Sequence, residues 1–196
     1  VLFRSCLVRS SLRLRLALLL VPLAAACTDG RPIEAGSRAP AGRLVTATAS
    51  DPRTFNPVLV TDQTSSLALA DVFEGLLRTD PVTTTPEPVL AESWEWSADG
   101  RDCTFHLRDG VRWQDGEPFT SDDVAFTFEA IFDERFPNSA RFSLTVDGQP
   151  IRVSTPDPRT VRFSMPRPFA PFLAAVEVPI LPRHVLGPSL ADGSFG

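Results

Sequence analysis

The chain has 196 residues, 43% of them apolar, which is enough for one ordinary domain with a packed core. All 19 basic residues are Arg, set against 24 Asp and Glu, for a net charge of −5. Four of those Arg precede Cys27; beyond it 15 Arg face 24 carboxylates, a net of −9, which argues against a nucleic-acid partner because such binding needs a basic patch.

Arg4, Arg9, Arg13 and Arg15 lead into Leu16–Ala26, an uncharged and mostly apolar run. It is too short for a helix that crosses a bilayer, which needs about 20 residues, and it fits the apolar core of an export signal. Ala24-Ala25-Ala26 followed by Cys27 resembles a bacterial lipobox, although Leu23 stands one place earlier than the usual Leu. The expected organisation is a lipoprotein signal peptide over 1–26, a lipidated Cys27 with a flexible tether over 27–42, and a folded body from 43 to 196. Cys6 would leave with the signal and Cys27 would carry lipid, so Cys103 has no partner and is expected to be a small core residue.

Leu44–Thr48 alternates as a strand does. The apolar positions Leu69, Val72, Phe73, Leu76 and Leu77 repeat with a helical period and predict a helix over 64–78, started by Thr64 or Ser65 as cap. Residues 79–88, with three Pro, predict a loop. Ser93–Ser97 reads as a strand with Trp94 and Trp96 on one face. Cys103–Arg108 reads as another, with Phe105 and Leu107 on one side. Asp99-Gly100, Asp109-Gly110 and Asp115-Gly116 are turn signals, the last two around a short Val111–Trp113 strand. A helix is predicted over 121–132, with Thr120 and Asp123 as a capping box and Val124, Phe128, Ile131 and Phe132 as its apolar face. Strands over 151–154 and 160–165 follow, joined by a turn at Thr155-Pro156-Asp157-Pro158. A short helix over 171–176 comes next, and 179–186 holds a strand end and a helical turn.

Five ordered blocks then become recognisable. They are Phe55-Asn56-Pro57 with Val72-Phe73-Glu74-Gly75-Leu76-Leu77; Pro88-Val89-Leu90-Ala91-Glu92-Ser93-Trp94; Thr104–Trp113; Asp115–Val124; and Pro168–Leu173 with Ile180–Leu186. Together they resemble extracellular solute-binding protein family 5, the peptide- and nickel-type binding proteins of ABC importers, over roughly residues 43–190. The resemblance implies an α/β, type II periplasmic-binding-protein-like fold, two lobes around a ligand cleft, of which only the N-terminal part is present here. It also implies capture of a peptide or other small solute, delivery to an ABC permease and ATPase complex, a monomer, and a membrane attachment through the lipid on Cys27.

Within that resemblance Ser50 and Asp51 fall where relatives line the cleft, and Asp51 could meet a cationic group such as a peptide amino terminus. A turn or cap beside Pro52 is the competing reading of Asp51. Thr64 and Ser65 are candidate ligand contacts or caps. Trp94, Trp96 and Trp113 read as core rather than as a stacking platform. His106 and His184 stand apart with no neighbouring carboxylate or Cys in sequence, so neither metal nor cofactor is expected. No Gly-x-Ser-x-Gly, His-Glu-x-x-His or Cys-x-x-Cys pattern occurs, which leaves an exported hydrolase as the remote reading. A sensor or chaperone lipoprotein of the same fold, without a transport role, is the alternative.

Overall fold

A computed structural model describes Thr48 and residues 50–195. The signal, Cys6, Cys27, the tether and all but the end of the predicted first strand lie outside the described residues. Helix α1 spans Gln63–Ala70, and a hairpin of β1 (Leu77–Thr79) and β2 (Pro86–Pro88) follows. Strands β3 (Ala91–Trp96) and β4 (Asp102–Leu107) lead to helix α2 (Ser121–Phe132). Next come α3 (Ala140–Ser143), the small pair β5 (Thr145–Val146) and β6 (Gln149–Pro150), then β7 (Arg152–Asp157) and β8 (Thr160–Ser164). The described chain closes with α4 (Phe172–Ala175) and α5 (Arg183–Asp192).

The principal sheet is antiparallel, in the order β3-β4-β8-β7. Its inner face is made by alternate residues: Cys103, Phe105 and Leu107 from β4, Val161 and Phe163 from β8. Phe163 is the centre of an aromatic group, with ring centroids 4.9 Å from Phe128 of α2, 5.5 Å from Phe105 and 5.5 Å from Phe172 of α4. Cys103 is fully buried there, and burial pushes its thiol up to about 12, so it is an inert core residue at neutral pH. Trp94 packs on Phe105, while Trp96 meets Phe172 edge-on and stays 42% exposed at the sheet edge.

Helix α2 matches its predicted span, and Thr120 N donates to Asp123 Oδ2 at 3.0 Å as the capping box requires. Its buried surface is wider than predicted. Val124, Phe128 and Ile131 face the sheet core, whereas Phe126 and Ala130 join Phe136, Leu181, Leu190 and Phe195 in a second core beneath α5. The helix is therefore buried on two sides, which a single apolar stripe does not reveal.

Three expectations are corrected. The helix predicted over 64–78 ends at Ala70, and its cap is Asp62, whose Oδ1 accepts from Ser65 N at 2.9 Å. Val72 is half exposed, and 74–76 is extended between two partners: Ile180 N donates to Glu74 O, and Leu90 N to Gly75 O. A Cβ on Gly75 would lie 3.1 Å from Val178 O, so this close crossing needs glycine. Leu76 and Leu77 are both buried, but by opposite faces of extended chain rather than by one helix stripe. Second, the predicted loop 79–88 is largely the β1–β2 hairpin, with Asp80 Oδ1 accepting from the Val82 and Thr83 amides at its bend. Third, β7 runs through Thr155-Pro156-Asp157, so the turn falls at Pro158-Arg159. Pro156 is tolerated because β7 is an edge strand with an irregular register there.

The loop 112–120 does not form the predicted strand; it bends back on itself through an Arg112–Pro118 bridge, with Gly116 at φ +94°. Its tip is fastened to α5 by His184 Nε2 and Asp115 Oδ2, 2.7 Å apart. His106 likewise lies 3.7 Å from Glu95 on the next strand, so each His has the carboxylate neighbour that sequence distance concealed. Among the described residues no group of three or more His, Cys, Asp or Glu could hold a metal, and no helix is long and apolar enough to cross a membrane.

The Asp115 hydrogen bond raises His184 above its ordinary 6.5, and the same bond holds Asp115 below its ordinary 3.8. The raised His contributes stability that is complete below 6.5 and lost as pH rises through its folded value; the lowered Asp contributes stability present above 3.8 and lost as pH falls through its own. His184→Gln is therefore expected to lower the urea midpoint at about pH 5 and to match the parent more closely at about pH 9. An equal deficit at both pH values would show that the ion pair is not what the substitution removes.

Candidate functional site

The predicted site residues that the structure describes gather at the N-terminus of α1. Asp62 precedes the helix with extended backbone and accepts twice from Ser65, from its amide at 2.9 Å and from its hydroxyl at 2.7 Å. Those bonds hold the Asp62 carboxyl below the usual carboxylate range. Ser65 is fully buried and its Oγ also accepts from the amides of Arg53, at 2.9 Å, and Thr54, at 3.3 Å. One serine hydroxyl thus pins the incoming loop against the first helical turn.

Ser50 and Thr64 share a hydrogen bond at 3.1 Å between their hydroxyls, and Thr48 Oγ1 donates to Ser50 O at 3.0 Å. Asp51 is exposed beside them, with no side-chain partner among the described residues. Three of the four predicted contacts are therefore joined through the 50–54 loop, with Asp51 adjacent in the chain. Their roles differ. Ser65 has its oxygen committed to protein groups, whereas Ser50, Thr64 and Asp51 keep polar capacity toward solvent. Cys27, the predicted lipidation site, lies outside the described residues.

Asp62 was missed by the sequence reading, although Asp-x-x-Ser before a helix is a cap signature. Asn56 was read only as part of a motif. Its Nδ2 donates to Phe195 O at 2.7 Å and its Oδ1 accepts from Val58 N at 3.1 Å, tying the loop before α1 to the segment after α5. No local sequence signal marks a bond across 139 residues. The cluster can accept hydrogen bonds from a cationic or amide ligand at Asp51 and exchange them at the Ser50–Thr64 pair. Ser65→Ala is expected to cost about 1–3 kcal/mol by leaving two loop amides and one Asp62 oxygen without a partner, read as a lowered urea midpoint; an unchanged midpoint would mean that the loop is held by other contacts.

With this geometry in hand, comparison with known proteins is informative. The family model for bacterial extracellular solute-binding proteins, family 5 Middle, matches residues 85–187. Protein XP55 of Streptomyces lividans is 36% identical over 182 residues, which cover 90% of this chain and 32% of that protein. Di/tripeptide-binding protein 4 of Pseudomonas aeruginosa (strain UCBPP-PA14) is 38% identical over 160 residues, covering 74% and 30% respectively. Among solved structures, the ABC transporter substrate-binding protein CtaP of Listeria monocytogenes superposes with a TM-score of 0.65 at 30% identity, over 71% of this chain and 28% of that one. The chain spans about a third of the length of the curated relatives it matches. Its mixed helices and strands are those of part of a type II periplasmic-binding-protein fold, as expected. The chain belongs to the bacterial extracellular solute-binding proteins of family 5.

Proposed function

We propose that this chain contributes the ligand-capturing lobe of an extracytoplasmic binding protein that hands peptides, or solutes of similar size, to an ABC permease and its ATPase. The observation that carries this reading is the family match across residues 85–187, joined to relatives whose names specify di- and tripeptides. The protein acts by binding, without bond chemistry: two lobes close on the ligand by a hinge motion whose population the ligand shifts.

Ser50, Asp51, Thr64 and Ser65 form the part of the ligand wall carried here. Asp51 receives the ligand's cationic amino terminus, the Ser50–Thr64 hydroxyls meet its backbone, and Ser65 holds the loop that presents them. Residues 1–26 direct export, Cys27 carries the lipid that keeps the protein at the membrane, and 27–42 serve as its tether to the folded body. The protein works as a monomer, without metal or cofactor.

A strain lacking the gene is expected to lose most of its uptake of radiolabelled dialanine and to recover it on complementation. The complementing protein should incorporate labelled palmitate and fractionate with membranes, and its Cys27→Ser variant should do neither. Undiminished uptake of dialanine and of longer labelled peptides in the deleted strain would overturn the peptide-capture reading, whereas palmitate labelling that survives Cys27→Ser would overturn the anchor alone.

A further inference from the structure

At the other end of α1 from the proposed ligand wall lies a groove that the peptide-capture reading does not use. Its volume is about 270 Å³, and its lining includes Val72, Leu90, Val111, Trp113 and Phe119, with Asp71 and Glu74 among its polar members. Eight helical residues separate the two places, about 12 Å along the axis.

Three observations give the groove a charge preference. Asp71 is the C-cap of α1, where the helix dipole disfavours a negative side chain, and the last turn of α1 carries no basic residue to offset it. Glu74, also exposed, adds a second carboxylate. Neither carboxylate has a hydrogen-bond or ion-pair partner among the described residues. The one cation of the lining, Arg112, directs Nη1 to Gly116 O at 2.8 Å instead. A protein that places unpaired carboxylates at the wrong end of a helix sacrifices stability locally, and such departures concentrate where something binds.

The aromatic wall is fixed rather than mobile. Trp113 Nε1 donates to the buried Asp123 at 3.3 Å, and its ring meets Phe119 edge-on at 6.0 Å. A held indole beside two carboxylates suits a guanidinium, whose flat face stacks on an aromatic ring while its edge donates to carboxylate oxygens. The remaining walls are apolar and suit an aliphatic stem. The volume lies just under the range of small-molecule pockets, about 300–1,000 Å³, and so matches a single side chain. A free amino acid would bring its own carboxylate toward Asp71 and Glu74, which disfavours it.

We propose that this groove is a docking point for an arginine side chain presented by a partner polypeptide, separate from the ligand wall at the start of α1.

The test is a titration of the purified full chain with N-acetylargininamide, followed through the three indole N–H resonances. The expected result is a saturable shift of the Trp113 signal, with Trp94 and Trp96 unaffected. N-acetylcitrullinamide, which is neutral but of the same shape, should bind at least about tenfold more weakly, as should the double variant Asp71→Asn/Glu74→Gln. Without probe, Asp71→Asn should raise the melting midpoint by relieving the dipole, which separates loss of binding from loss of fold. Equal binding of the citrulline compound, undiminished binding by the double variant, or no Trp113 shift would overturn the proposal. Free L-arginine binding as tightly as the capped form would overturn the polypeptide as its source.

Discussion

One carboxylate, Asp123, joins parts of the chain that lie 60 residues apart. It is 4% exposed and accepts from three directions: from Thr120 N, which closes the first turn of α2; from Trp113 Nε1, which fixes the base of the 112–120 loop; and from Arg183 N, at 2.9 Å, which begins α5. Pro182, the residue before α5, offers no side-chain oxygen as a cap. Asp123 supplies that oxygen from another helix, so one group satisfies the start of two helices. One turn along α2, Thr127 Oγ1 accepts from Leu181 N at 2.9 Å, continuing the seam. Around it Arg183 pairs with Asp122 at 2.8 Å and His184 with Asp115. The buried acceptor is the part that cannot be spared, because its three donors would otherwise be unpaired away from water.

This arrangement explains why the fold is built outward from α2. One side of the helix receives the aromatic core of the sheet, and the other receives α5 and Phe195. The N-terminal loop reaches the same body through Asn56 and Phe195 O. The candidate ligand wall at α1 is thus positioned by a loop tied to the segment after α5, while the Trp113 groove is positioned by Asp123. Two surfaces of different character, one lined by hydroxyls and one aromatic and acidic, are held on a single frame. Family membership accounts for the first under the proposed function; the second follows from local charge and packing alone.

What could be read in the sequence divides along physical lines. Helix α2 was legible to the residue because its cap chemistry and its apolar period agree. Strand β4 was legible because Cys103, Phe105 and Leu107 alternate with polar residues, and the Asp115-Gly116 bend because a positive φ favours Gly. The segment 69–77 misled because spacings of three and four residues also arise when a short helix is followed by extended chain buried on both faces. The end of that helix depends on Gly75 passing close to Val178 O, a contact across more than 100 residues in sequence that no window contains. At the candidate site, hydroxyls near a helix start were legible, but the division of labour was not: Asp62 took the capping role and Ser65 became the clasp for residues 53 and 54. The His184–Asp115 pair was hidden for the same reason, since 69 residues separate its members.

The most direct test of this account is Asp123→Asn, followed by urea unfolding and by hydrogen exchange at the amides of Thr120 and Arg183. An Asn side chain keeps the shape but offers one acceptor oxygen and turns a donor toward the others. The account predicts destabilisation of about 3 kcal/mol, with both amides losing protection together and the Trp113 indole signal moving. A change under about 1 kcal/mol, or loss of protection confined to Thr120, would contradict the claim that this carboxylate joins the two helices and the loop.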